Sequence, residues 1–159
     1  MQPFPHHYTV TAAGIADGDV ELTAERVAPL RSASPVEFDG PGDRWSPETL
    51  LAGAVADCFV LTFRAVARAS KLAWTSLRCQ ATGTLDRIDR VTQFIAFELH
   101  VHLDVPEGVD ADRARHALEK AERSCLISSS LKCGIRLVTD VTVSIPTPAQ
   151  PADSAAGVA

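Results

Sequence analysis

A chain of 159 residues with 46% apolar side chains and a formal charge of −5 is long and apolar enough to fold as a domain with a real core. The acidic balance excludes work on a phosphate backbone, which needs a concentrated basic surface, so no nucleic-acid partner is expected. The main apolar run, within 50–63, is shorter than the roughly 20 residues that span a bilayer, and "MQPFPHHYTV" at the start lacks the basic and apolar parts of a signal peptide. A soluble, cytoplasmic protein without a membrane partner is the expectation.

Residues 6–15 and 19–31 are rich in β-formers and straddle "ADGD" (16–19), whose Asp-Gly pair predicts a hairpin. The stretch "SASPVEFDGPGDRW" (32–45), with two prolines and two glycines, reads as a loop. Ser46 then caps a helix, Pro47 fits its first position, and Glu48 sets negative charge on the positive end of the dipole. This helix runs to about Ser70 and is apolar nearly all round until Arg64, Arg68 and Lys71. Its first four turns should therefore be buried on every side. One sheet from a chain of this size covers mainly one helix face, and a partner subunit would supply the rest.

Two long strands follow, 74–87 and 91–105, joined by a short polar turn. In the second, Phe97, Leu99, Val101, Leu103 and Val105 share one face, with Glu98, His100, His102 and Asp104 on the other. After a turn at 106–110, with Asp110 as candidate cap, Ala114, Leu118, Ala121 and Cys125 fall at helical spacing on one face. "LISSSL" breaks that helix, and 132–144 make a last strand. The order is β-β-α-β-β-α-β, an α+β chain with a single domain over 1–145. The Pro- and Ala-rich tail 146–159 is expected to be disordered.

Chemistry centres on the cysteines. Cys58, Cys79, Cys125 and Cys133 lack the C-x2-C spacing of a structural zinc site, and the chain is large enough to fold without disulfides. Cys58 lies mid-helix, where it is either a small apolar filler, the commoner fate of a free cysteine, or a nucleophile. Glu48 precedes it by ten residues, about 15 Å along the same helix, so a shared site would need the Glu48 of another subunit. Cys125 ends the second helix beside a polar turn. A bridge to Cys58 would require Cα atoms within about 7 Å, which spacing alone leaves open. Cys79 and Cys133 fall in β-rich runs and read as structural. The His100 and His102 strand face fits an outward polar surface as well as a metal site, and no metal is expected.

"SPETLLAGAVADCF" (46–59) resembles the central-helix motif of the OsmC/Ohr thiol peroxidases, in which Pro-Glu opens the helix and a reactive Cys follows ten residues after the Glu. "SCLISSSL" (124–131) is similar to the second motif of that family. The resemblance covers roughly 6–144 and implies an intertwined homodimer with a long buried central helix and two sites at its interface. It implies that Cys58 attacks an organic hydroperoxide, that Cys125 resolves the sulfenic acid as a disulfide, and that an external dithiol, a lipoyl-protein or a small thiol, reduces it. No cofactor is needed. Glu48 would position a cation beside Cys58. The family draws that cation from an Arg in the first hairpin or just before a Phe ahead of the helix. Here the hairpin has no Arg, and Glu37 precedes Phe38. Arg44 is the expected substitute, with Arg31 and Arg26 behind it. The alternative is a catalytically weak relative that binds a small apolar ligand at the dimer interface.

Overall fold

The structure, a computed structural model, describes residues 3–144. The tail 146–159, expected to be disordered, lies outside the described residues. The chain divides into two compact units between Val55 and Ala56.

In the first unit, β1 (Thr11–Ala13), β2 (Val20–Thr23) and β3 (Leu30–Ser32) form an antiparallel sheet in that order. Thr11 stands opposite Thr23, and Val20 opposite Ser32. The Asp-Gly turn joins β1 to β2, with Gly18 at φ +98, a conformation that side chains disfavour. The run 19–31, expected as one strand, is two: the backbone turns at Arg26, φ +64. The loop at 32–45 holds a 3-10 turn at Val36–Phe38. At Gly40 a Cβ would meet the Ser34 carbonyl oxygen at 1.6 Å, so only glycine lets the chain pass. The Ala33 amide then donates to the Trp45 carbonyl at 2.8 Å, which returns the loop alongside β3.

Helix α1 spans Pro47–Ser70. Its start is a reciprocal cap: the Thr49 amide donates to Ser46 Oγ at 3.2 Å, and the Ser46 amide to Thr49 Oγ1 at 2.8 Å. Threonine thus does the work that Glu or Gln does in the common capping box. Lys71 at φ +51 ends the helix, its amide bonding the Arg68 carbonyl while the Leu72 amide bonds Ala67, a Schellman pattern. Val55, Phe59, Phe63 and Ala67 are fully buried at a four-residue spacing, whereas Leu61 is 51% exposed and Leu50, Leu51, Ala54 and Val60 are half-buried. A single chain therefore covers one stripe of this helix. By length and composition alone α1 is apolar enough to cross a membrane. Along it Val55, Phe59, Phe63 and Ala67 form a continuous buried stripe, with Trp74 set edge-on to Phe63.

In the second unit, β4 (Ser76–Ile88), β5 (Val91–Pro106) and β6 (Gly134–Ser144) form a sheet with β5 in the middle. β4 and β5 are antiparallel, and Asp89 and Arg90 between them both have positive φ, as a two-residue hairpin turn requires. β5 and β6 are parallel and need a long crossover, supplied by α2 (Ala111–Arg123) and α3 (Leu126–Ser129). Asp110 caps α2 by accepting from the Asp112 amide at 2.8 Å. Ala114, Leu118 and Ala121 are buried as the spacing predicts, and α2 packs along β6. "LISSSL" forms the short α3 where a break was expected. All five apolar residues of β5 named from the sequence are buried.

The opposite face of the sheet is a charged ladder. His102 bonds Asp140, its register partner on β6, at 2.8 Å and Asp104 at 3.1 Å. Arg136 pairs with Glu98 at 2.8 Å. Among the described residues no group of three or more His, Cys, Asp and Glu is placed to hold a metal. The hydrogen bond to Asp140 raises the His102 pKa, and Asp104 adds to it. A folded pKa above the unfolded value of about 6.5 stabilises the fold fully below that value, and the contribution disappears as pH rises through the folded pKa. The urea midpoint should therefore fall slightly between pH 6 and pH 9. His102→Gln should remove that fall, and high salt should shrink it, because the pair is exposed.

Candidate functional site

Cys58 is half-buried on α1, and Thr62, one turn on, sets its Oγ1 4.0 Å from the Cys58 sulfur. Cys125 is 0% exposed at the corner where α2 ends and α3 begins. The two thiols, far apart in sequence, are neighbours in the fold, close enough for Cys58 to act on the Cys125 sulfur, and both are reduced. Packing of α1 and the α2–α3 corner into one core brings them together, a question that spacing alone left open.

Burial pushes the Cys125 thiol up; the hydroxyl and amide of Ser128, which face its sulfur, pull it down, and neighbouring Cys58 pushes it up again. Cys79 lies on the core-facing side of β4, where burial, with Cys125 nearby, pushes it up to about 11. Such a thiol stays protonated at neutral pH, in keeping with the structural role read from its strand. Cys133 is half-buried just ahead of β6.

Glu48 is the second residue of α1. Its Oε2 is buried and has no hydrogen-bond partner. It lines a cavity of about 480 Å³ in the first unit, with Val20, Leu22, Pro35, Phe38 and Leu50 among the walls. Arg44 is engaged elsewhere: Nε bonds Asp19 at 3.0 Å and Nη1 bonds Asp43 at 2.9 Å, and the bond to Asp19 is the main cause of its raised pKa. Arg31 reaches the same Asp19 at 3.8 Å, and Arg26 pairs with Glu25. Glu37 is exposed in the 3-10 turn. Among the described residues, then, no arginine pairs with Glu48.

Two hydroxyls beside the thiols were missed from the sequence. Thr62 could have been found from the four-residue helical spacing after Cys58. Ser128 could not, because "SSS" offers three equivalent serines until α3 assigns each a direction.

The family model described as OsmC-like protein matches residues 40–140. The chain belongs to the OsmC-like protein family. The match takes in Glu48, Cys58 and Cys125. YmaD, an uncharacterized protein of Bacillus subtilis (strain 168), is 28% identical to this OsmC-like chain over 144 residues, covering 88% of this chain and 96% of YmaD. An organic hydroperoxide resistance protein, OsmC, from Legionella pneumophila has a similar structure. It gives a TM-score of 0.70 at 25% identity, over 89% of this chain and all of that one. The organic hydroperoxide resistance protein OhrB of Bacillus subtilis shares the fold, with a TM-score of 0.64 at 18% identity over 86% of this chain and 98% of that one. The low identities mark a divergent OsmC-like member, and the α+β architecture read from the sequence is that of these neighbours.

Proposed function

We propose that this OsmC-like protein is a cytoplasmic, homodimeric thiol peroxidase of the stress response that reduces organic hydroperoxides through Cys58 and Cys125. The observation that carries the reading is the meeting of two reduced thiols, one half-buried and one fully buried, in an apolar core. The Cys58 thiolate attacks the outer peroxide oxygen; the O–O bond breaks, and the alkoxide leaves as an alcohol after taking a proton. Cys125 displaces hydroxide from the resulting sulfenic acid, which leaves as water with the Cys125 proton, and the disulfide forms. An external dithiol, a lipoyl-protein or a small thiol, restores both. No cofactor takes part. A second subunit covers the half-exposed sides of α1, and its Glu48 positions a cation, with Arg44 as first candidate, beside Cys58. An apolar surround favours an organic over an inorganic peroxide.

One equivalent of cumene hydroperoxide should remove two of the four thiols, with peptide mapping assigning the bridge to Cys58 and Cys125. Hydrogen peroxide should do so more slowly. Four intact thiols after that treatment would sink the peroxidase reading. They would favour the alternative, a weakly catalytic protein that binds a small apolar ligand, for which the cavity beside the unpartnered Glu48 oxygen speaks.

A further inference from the structure

Three serines follow Cys125 in α3 and its cap, and they are not equivalent. Ser129 donates its hydroxyl to the Cys125 carbonyl and Ser130 to the Leu126 carbonyl, each at 2.8 Å. Both bonds run back one turn, as serine hydroxyls commonly do in helices. Ser128 does not follow them. It is 8% exposed, its Oγ is buried, and it has no hydrogen-bond partner. Cys125 is the N-cap residue of α3, three positions before Ser128, and its side chain makes no cap hydrogen bond. The Ser128 hydroxyl thus lies on the side of the Cys125 sulfur without a regular hydrogen bond to it. A buried hydroxyl left without a partner is disfavoured. A thiol is a weak acceptor, whereas an anionic sulfur is a strong one. The hydroxyl is therefore matched to a state of Cys125 other than the resting thiol.

We propose that the Ser128 hydroxyl is the donor that stabilises the Cys125 thiolate, and so sets the rates at which the Cys58–Cys125 disulfide forms and is cleaved. The proposal rests on the peroxidase reading for the first rate and is independent of it for the second. In formation, Cys125 gives up its proton as its sulfur bonds to Cys58, and the Cys58 S–O bond breaks with loss of water. In cleavage, a thiolate of the dithiol reductant attacks one sulfur and the other leaves as a thiolate. Cys125 has no exposed surface while Cys58 is half-buried, so attack falls on Cys58 and Cys125 is the leaving sulfur. Ser128 then serves both directions. Lowering a thiol pKa by about one unit gives roughly ten times more thiolate but costs about threefold in nucleophilicity, and it speeds departure of that thiol as a leaving group. The net gain is about threefold for each step.

The test has two arms. In the first, reduced protein is mixed with cumene hydroperoxide, and the lifetime of the Cys58 sulfenic acid is followed by dimedone trapping and mass mapping. Ser128→Ala should leave the rate of Cys58 oxidation unchanged, lengthen the sulfenic acid lifetime about threefold or more, and move the pH profile of resolution upward by about one unit. In the second arm the bridge is made with diamide, without peroxide, and its reduction by dithiothreitol is timed; Ser128→Ala should slow it about threefold. Ser128→Thr, which keeps the hydroxyl, should restore both rates. Four intact thiols in the parent protein after cumene hydroperoxide would overturn the peroxidase reading, and the diamide arm would still decide the role of Ser128. Parental reduction rate and parental pH profile in Ser128→Ala would overturn the proposal itself.

Discussion

Cys58→Ser should abolish turnover of organic hydroperoxide, lowering the rate by roughly three orders of magnitude or more, as loss of a catalytic nucleophile does. The size of the effect follows in part from what Cys79 and Cys125 can offer. Cys79, pushed up to about 11 by burial, has at pH 7 only about one thiolate in ten thousand molecules. Cys125 is fully buried and its pKa is raised by that burial, so it is both unreachable and protonated in the resting protein. Neither can stand in for Cys58. Cys125→Ser should behave differently. Its first oxidation should proceed at the parental rate and stop at a Cys58 sulfenic acid, so that one equivalent of peroxide is consumed in a burst and turnover then falls away. Peroxide consumption in stopped flow, with intact mass at the end of the burst, separates the two variants. Retention of more than about a tenth of the parental rate in Cys58→Ser would place the nucleophile elsewhere.

Much of the scaffold around these thiols is written locally. Ser46-Pro47 starts α1 because serine side chains cap and proline has no amide to lose. The strict alternation of Phe97 to Val105 can satisfy only a strand with one face in a core, and that is where β5 puts it. Asp110 caps α2 for the same reason as Ser46. The features that did not show are those decided by distant partners. The turn that splits β2 from β3 places Arg26 at positive φ, where sequence reasoning looks for Gly or Asn. β6 reads as a strand, but nothing in "GIRLVTDVTVS" says that it runs parallel to β5. Cys79 belongs to the inner face of β4 by alternation, yet its closeness to Cys125 depends on where the α2–α3 corner lands. The meeting of Cys58 with Cys125 is of the same kind: two motifs on two helices, joined only by packing. Glu48 was legible as a helix-start residue, whereas the engagement of Arg44 by Asp19 was not, because it links the first hairpin to a loop 25 residues on.

Arg44→Ala should slow oxidation of Cys58 roughly tenfold or more at pH 7, and Asp19→Asn should speed it. The first expectation rests on a general magnitude: a cation within about 4–6 Å of an ionisable acid lowers its pKa by about 1–3 units, which near neutral pH translates into one or more powers of ten in thiolate. The second rests on the surroundings of Arg44. Arg31 and Arg44 face Asp19 and Asp43, so the four charges cancel, and the guanidinium projects little positive potential while it stays there. Asp19→Asn removes the carboxylate that accepts from Arg44 Nε and leaves that group with a net positive charge, with Asp43 as the one carboxylate that still holds Arg44 against a turn toward Glu48. The readout is the pseudo-first-order loss of free Cys58 under excess cumene hydroperoxide, measured at two ionic strengths because an exposed cation is screened by salt. Opposite shifts in the two variants, both smaller at high salt, identify a guanidinium divided between a hairpin carboxylate and the thiol site. An unchanged rate in Arg44→Ala would remove it from that site, and the unpartnered Glu48 oxygen would then await a donor from Arg31, Arg26 or a bound ligand.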